Sequence, residues 1–305
     1  MVSVLARARA REVSAARFLR LALLSLAALY LVVVTGAVVR LTASGLGCDN
    51  WPRCGDTPFP EKGGHALIEF SNRVVALGAI GCALVAWLAS RRVAGLPRWT
   101  RRVALAVFLG TVAQIPLGGL TVIFELHPLL VMAHFLLALV VVAAAVVVAL
   151  EAWGHAAGRA SAPLAPPVWR WTAIVLVVAC LALVVTGAVV TASGPHPGGE
   201  EIARLGVLLD AVYAHVRATA VFGISFLALL WPAWRLRRRS PLLLRAAGGL
   251  LLLLGAQMIV GEVQYRTHLP WWLVLVHVGL AAAVWAWTVG LAFVFWRPPA
   301  PVAGE

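Results

Sequence analysis

The sequence has few charged residues: only 12% of its 305 residues are Asp, Glu, Lys or Arg. A soluble domain has about 25% charged and roughly 45–50% apolar residues. Here the hydrophobic class makes up 62% and the mean hydropathy is +0.93. This shortage of charge excludes an ordinary water-soluble globular protein, and it predicts an integral membrane protein whose partner is the lipid bilayer.

Acidic residues are particularly scarce, with 12 against 25 basic ones and a net charge of +13. Such an excess can indicate nucleic-acid binding. The arginines, however, lie in the N-terminal tail and in short segments between apolar runs, so we predict no nucleic-acid partner. Cytoplasmic loops of membrane proteins retain positive charge. Both termini are therefore predicted to be cytoplasmic.

Cysteine is also rare, with four residues in the chain. Cys82 and Cys180 lie within apolar runs, whereas Cys48 and Cys54 share the first outer loop. No Cys or His has zinc-finger spacing, which excludes a structural zinc site. Two cysteines that face an oxidising compartment can form a disulfide. We predict a Cys48–Cys54 disulfide. It either stabilises the loop as a structural cross-link or has a redox or docking role.

Long apolar runs are what the sequence has instead. A membrane-spanning helix needs about 20 apolar residues. The first run is too long for a signal peptide, and it lacks a small-residue cleavage pattern at its far end. Eight runs meet the length requirement, so we predict an all-α integral membrane protein with eight transmembrane helices: 19–40, 66–89, 103–124, 129–150, 171–192, 207–233, 242–263 and 271–296.

The chain contains an internal duplication. Thr35–Val39 returns as Thr186–Val190, and each copy is followed by Thr-Ala-Ser-Gly. Four helices per copy is an even number, so both copies have the same orientation in the membrane. We predict two tandem pseudo-symmetric four-helix bundles: an N-terminal bundle at 1–153, a cytoplasmic linker at 154–169 and a C-terminal bundle at 170–305.

The duplication also relates four polar residues inside apolar helices. His134 returns 143 residues later as His277, and the same shift places His215 opposite Asn72. His215 and His277 lie six to eight residues inside their predicted helices, about 10 Å below the outer surface at ~1.5 Å per residue. A lone membrane histidine more often bonds a neighbouring helix. Two at the same depth in one bundle favour ligation of a haem iron from both faces.

In the first half, His134 is paired with an asparagine instead of a second histidine. An asparagine amide is a poor iron ligand but a good hydrogen-bonding group, so a haem held by His134 alone keeps one axial position open. Glu69 lies one turn before Asn72 on the same face. A carboxylate inside a membrane helix is costly unless it is paired, protonated or functional. We favour Glu69 as a proton donor or acceptor, and a structural ion pair with Arg73 is the alternative.

Several segments together resemble the haem A synthase family. They are Ile68–Arg73, the Thr-Gly-Ala-Val-Val-Arg-Leu-Thr-x-Ser-Gly-Leu-x-Cys segment that leads to Cys48, the second-copy segment that ends at His196, and Val263–Tyr265. The resemblance covers all eight helices. It implies an enzyme that oxidises the C8 methyl group of haem O to a formyl group in two successive hydroxylations, and that passes haem A to a terminal oxidase.

The resemblance also implies roles for individual residues. The second half carries haem b on His215 and His277 as an electron relay. The first half takes the substrate haem O, with Glu69 and His134 at the family's functional positions and Arg73 beside them. Asn72 stands where a histidine is usual, so substrate ligation by two histidines does not carry over.

The resemblance implies partners and a location as well. The partners are haem O and haem A, haem O synthase and assembly factors of the terminal oxidase, and the location is the bacterial plasma membrane. The oligomeric state is left open, a homo-oligomer included. Two alternatives to the enzyme remain: a non-catalytic haem b electron carrier, and a haem transporter or delivery protein.

Overall fold

The computed structural model describes residues 12–48, 50–55, 59–60, 63–158, 164–199 and 202–299. Within these ranges there are eight long helices and no strand, and all eight are long and apolar enough to cross a membrane. The predicted fold class is confirmed. The helices are α1 (Ala15–Leu41), α2 (Gly64–Ser90), α3 (Arg98–Ile123), α4 (Pro128–Ala156), α5 (Pro167–Ser193), α6 (Leu208–Arg235), α7 (Pro241–Arg266) and α8 (Trp271–Trp296).

The helices extend beyond most of the predicted apolar runs. The bilayer sets the length of the apolar run, but backbone hydrogen bonding continues until a cap or a proline stops it. Helix α1 begins where the Ser14 hydroxyl accepts a hydrogen bond from the Arg17 amide at 3.3 Å. Helix α4 continues to Ala156 and α5 starts at Pro167, so residues at both ends of the predicted linker are helical. The boundaries of the two predicted domains stay a prediction.

The helix contacts form two closed rings. In the first ring α1 packs on α2, α2 on α3, α3 on α4 and α4 on α1, and α5 to α8 repeat this pattern. Helix α4 contacts α8 where the rings meet, while α1 contacts α8 and α4 contacts α5. Exchanging the two halves leaves this set of contacts unchanged. The arrangement agrees with two pseudo-symmetric four-helix bundles.

Polar contacts join the two rings within the apolar interior. The Tyr30 hydroxyl donates to the carbonyl of Gly279 at 2.9 Å, and the Trp285 indole donates to the carbonyl of Leu139 at 2.8 Å. Near the last residues of α4 and α8, the fully buried Glu151 carboxylate accepts a hydrogen bond from Arg297 at 2.7 Å. Hydrogen bonds in a low-dielectric interior are electrostatically stronger than in water. These three contacts therefore hold one bundle in position against the other.

The loop between α1 and α2 closes over the end of the first bundle. It contains a disulfide between Cys48 and Cys54, whose Cα atoms are 4.5 Å apart. The predicted disulfide is confirmed. Gly47 in the same loop approaches the backbone of α2 so closely that a Cβ there would lie 2.5 Å from the His65 carbonyl. Only glycine permits this approach, and it brings the loop down onto the start of α2.

Candidate functional site

The first bundle surrounds a cavity of about 460 Å³. This volume lies in the usual range of about 300–1,000 Å³ for sites that bind small molecules and cofactors. Glu69, Asn72, Arg73 and His134 all line the cavity. The structure therefore brings together every residue that the sequence analysis assigned to the substrate-haem site. Most of the remaining lining is apolar, and part of it comes from the second half, including Ala188 and Val278.

The four duplicated polar residues lie at similar depth in their helices. His134 is six residues after Pro128, the first residue of α4, and His277 is six residues after Trp271, the first of α8. Asn72 is eight residues after the start of α2 at Gly64, and His215 is seven residues after the start of α6 at Leu208. These positions agree with the depth expected from the sequence. Within each pair, the distances from the helix starts differ by at most two residues.

A glycine lies against the imidazole of each of the three histidines. A Cβ added at Gly187 would lie 3.0 Å from His215 Cε1, and one at Gly261 would lie 3.0 Å from His277 Cε1. In the first bundle the equivalent distance from Gly118 to His134 is 3.3 Å. Each of these glycines leaves room for the Cε1 edge of an imidazole against the neighbouring helix.

Asn72, which replaces the fourth histidine, has no glycine in close contact within the ranges that the structure describes. Gly36 is the counterpart of Gly187 in the Thr-Gly-Ala-Val-Val repeat, and a Cβ at Gly36 would meet no atom within 4 Å. The imidazole that fills this space in the second bundle is replaced in the first by the shorter side chain of Asn72. Gly36 and Asn72 both line the cavity. The replacement therefore leaves open space at the cavity wall.

The first threonine of the Thr-Gly-Ala-Val-Val repeat contacts Asn72 in the first half and His215 in the second. Thr186 Oγ1 is 3.2 Å from His215 Nδ1, and Thr35 Oγ1 donates to Asn72 Oδ1 at 2.7 Å. Because Nδ1 of His215 is engaged, Nε2 is the ring nitrogen available to an iron. The repeated threonines are visible in the sequence, but nothing in their spacing predicts a role for them. Their function is to orient the two residues that differ between the halves.

His134 and His277 have equivalent surroundings. Gln114 Nε2 donates to the His134 carbonyl at 3.3 Å, and Gln257 Nε2 donates to the His277 carbonyl at 3.1 Å. Among the described residues, however, neither imidazole has a hydrogen-bond partner, and Nδ1 of each is buried. Buried polar groups are normally bonded. Two unpartnered imidazoles beside close-packed glycines fit a bound haem in each bundle.

Glu69 is 5% exposed and makes two strong contacts. Its Oε1 lies 2.5 Å from Nη2 of Arg73, and its Oε2 accepts a hydrogen bond from the Cys48 amide at 2.9 Å. Arg73 in turn donates to the carbonyl groups of Pro52 and Arg53 at 3.1 Å and 2.9 Å. The ion pair considered as the alternative for Glu69 is thus present. Because Glu69 also lines the cavity, its role in proton transfer stays a prediction.

Two cavity residues were missed by the sequence analysis. Arg40, in the last turn of α1, donates from Nη2 to the Thr191 carbonyl at 2.8 Å and from Nε to the His196 carbonyl at 2.9 Å. It thereby joins the first bundle to the second beside the cavity. Trp51, in the disulfide loop, packs over Gly119, where a Cβ would lie 2.8 Å from the indole ring.

A signal for Arg40 was present in the duplication. Arg40 and Leu41 stand between the Thr-Gly-Ala-Val-Val and Thr-Ala-Ser-Gly segments of the first copy, whereas the two segments are adjacent in the second. An insertion in only one copy marks a feature that only that half has. No comparable signal identifies Trp51.

Comparison with known proteins matches residues 19–64 and 59–195 to the COX15-CtaA family, described as cytochrome oxidase assembly protein. The heme A synthase of Symbiobacterium thermophilum is 32% identical over 277 residues, which cover 85% of this chain and 89% of that protein. The heme A synthase of Geobacillus thermodenitrificans is 27% identical over 91% of this chain and 92% of its own length. A Thermus thermophilus protein named protoheme IX farnesyltransferase is 29% identical over 86% of this chain but only 46% of its own length.

Proposed function

Because this chain belongs to the haem A synthase family, we propose that it oxidises the C8 methyl group of haem O to a formyl group by two successive hydroxylations. It is a multi-pass bacterial membrane oxidoreductase of haem A biosynthesis. The second hydroxylation yields a gem-diol that loses water to give the formyl group of haem A. One observation carries the proposal: Glu69, Asn72 and His134 line a single cavity in the first bundle.

The first bundle binds the substrate haem through His134. The imidazole has no partner among the described protein residues, and Gly118 lets it lie close to α3. On the opposite wall, Asn72 is held by Thr35 beside the open space at Gly36. A haem held in this way has one protein ligand, and its other face borders free volume. Such an open face suits oxidative chemistry, which a six-coordinate haem disfavours.

Glu69 accepts or donates a proton at the cavity wall during methyl oxidation. Its ion pair with Arg73 and the hydrogen bond from Cys48 hold the carboxylate in one orientation. A general base must lie within hydrogen-bond reach of the proton that it takes, directly or through one water. Arg40 and Arg73 add positive charge to the same wall. They are suited to neutralise the propionates of the substrate.

In the second bundle, His215 and His277 would hold a haem b, and this group would supply electron transfer. Thr186 orients His215, while Gly187 and Gly261 provide room for the two imidazoles. Both termini lie on the cytoplasmic side in this arrangement, so both haem sites lie in the outer half of the bilayer. If both histidines ligate the iron, this haem would supply electron transfer and would leave no position for substrate.

We also propose that the protein receives haem O from haem O synthase and delivers haem A to assembly factors of the terminal oxidase. The Thermus relative supports the first step, because a protein named for haem farnesylation contains a segment similar to this chain. Covalent linkage raises the effective concentration of one site at the other. Contact between this protein and a haem O synthase in the membrane would serve the same purpose.

The proposal is tested by expressing the chain together with a haem O synthase and analysing its pigments. Extraction and pyridine haemochrome spectra should show haem b and haem A bound to the purified wild-type protein. His134→Ala should abolish haem A and retain the low-spin haem b. His277→Ala should deplete haem b.

Two results would contradict the proposal. Haem b accompanied by unchanged haem O would indicate an electron carrier. Protein without a Soret band would indicate a transporter or delivery protein.

A further inference from the structure

A second recess lies at the opposite end of the second bundle, where α5 begins and α6 ends. It has a volume of about 550 Å³ and is lined by Trp169, Arg170, Arg235, Leu236 and Arg239, together with residues just before α5. This end is predicted to face the cytoplasm. None of these residues belongs to either haem site.

The charged residues that line the recess are all basic. Arg170, Arg235 and Arg239 all line it, and no acidic residue does. The chain has no Asp or Glu between residues 152 and 199 or between 211 and 261. Within the described part of the chain, the buried Nε of Arg170 has no hydrogen-bond partner. The positive charges of three arginines that line one recess favour an anion there.

Aromatic residues show at which level of the membrane the recess opens. Trp231 and Trp234 are stacked with ring centroids 5.6 Å apart, and they are 58% and 45% exposed. Arg235 lies over the Trp231 ring at 5.3 Å, and Arg237 lies over the Trp234 ring at 3.9 Å. Exposed tryptophans concentrate at the boundary between the hydrocarbon core and the lipid headgroups. The recess therefore opens at the headgroup level.

We propose that this recess binds the phosphate group of an anionic phospholipid. Guanidinium groups match phosphate oxygens with paired hydrogen bonds, and basic pockets between membrane helices on the cytoplasmic side suit such headgroups. Leu236 and Trp169 form an apolar wall beside the arginines, which suits the glycerol and the start of an acyl chain. A soluble phosphate has the same charge but would gain nothing from this wall or from the membrane level of the opening.

The site is tested by native mass spectrometry of the detergent-solubilised protein titrated with phosphatidylglycerol or phosphatidylcholine. The wild type should bind phosphatidylglycerol preferentially. The double variant Arg170→Gln/Arg239→Gln should bind it at least about tenfold more weakly, because charge-assisted hydrogen bonds are lost. Arg238→Gln is the matched control, because this exposed residue lies in the same turn but does not line the recess. It should leave the affinity unchanged.

Four outcomes overturn the proposal. Equal binding of both lipids by the wild type would show that the site has no preference for an anionic lipid. If Arg238→Gln weakens phosphatidylglycerol binding as much as the double variant does, the effect comes from diffuse positive charge and not from the recess. Displacement of phosphatidylglycerol by millimolar inorganic phosphate shows a site for the free anion. If the double variant fails to fold, judged by its thermal unfolding, Arg239→Gln alone should still weaken binding measurably. Wild-type affinity in that single variant would also overturn the proposal.

Discussion

Substituting alanine for the glycines beside the second-half histidines should separate helix stability from haem binding. A Cβ at Gly187 or Gly261 would lie 3.0 Å from the Cε1 atom of His215 or His277. Carbon atoms in contact prefer about 3.5–4.0 Å. Each imidazole must therefore retreat by a few tenths of an ångström. Metal–ligand distances tolerate only about ±0.2 Å, so the shifted ring can no longer hold the iron at its normal distance.

The same substitutions should favour the helix itself. Replacing glycine by alanine inside a helix stabilises it by about 1 kcal/mol when space permits. Gly187→Ala and Gly261→Ala proteins should therefore fold and insert. Their affinity for haem b should fall by about 10–100-fold, the usual cost of disturbing the support of a metal ligand.

The matched control is Gly223→Ala. Gly223 lies on α6, the helix that carries His215, and a Cβ there meets no atom within 4 Å. The assay is haem per protein by pyridine haemochrome, with the spin state read from the absorption spectrum. The control should keep the wild-type haem content. A Gly187→Ala protein with full haem and an unchanged low-spin spectrum would refute both the steric reasoning and the ligand assignment.

Three further predictions concern the first bundle. Asn72→His should shift a bound haem from high-spin toward low-spin, because Gly36 leaves space for the added imidazole; an unmoved absorption spectrum would mean that residue 72 does not face the iron. Glu69→Gln should lower the yield of haem A by about 10²–10⁴-fold, the usual contribution of general acid–base catalysis, while haem b remains; a normal yield of haem A would leave Glu69 only its contacts with Arg73 and the outer loop. Thiol labelling of unreduced, denatured protein should tag the two cysteines of the membrane helices and spare the Cys48–Cys54 disulfide, and labelling of all four would disprove that bond.

Much of the fold could be predicted from the sequence because the bilayer imposes a strong local rule. A spanning segment must be long and apolar, and it must satisfy its backbone hydrogen bonds internally. Eight runs met this rule, and each corresponds to one helix in the structure. The duplication then related the two halves. It brought His215 and His277 to one depth and revealed Asn72 as the exception before any tertiary contact was known.

The partners of Glu69 show where such prediction ends. Its ion pair with Arg73 follows from spacing alone, because residues four apart lie on one helix face. The hydrogen bond from Cys48 depends on the path of a loop, and no helical period encodes that path. Arg40 is similar, since its carbonyl partners at Thr191 and His196 belong to the other bundle.

The sequence by itself determined the number of helices, their tandem repetition and the depth of Asn72 and the three membrane histidines, because these depend on residue type and spacing. Only the tertiary structure decided which helix faces meet. It placed Gly187 and Gly261 against imidazole rings and left Gly36 facing open space. The physical reason is that these distances depend on the rotation and separation of packed helices. Local hydrophobicity constrains that packing only loosely.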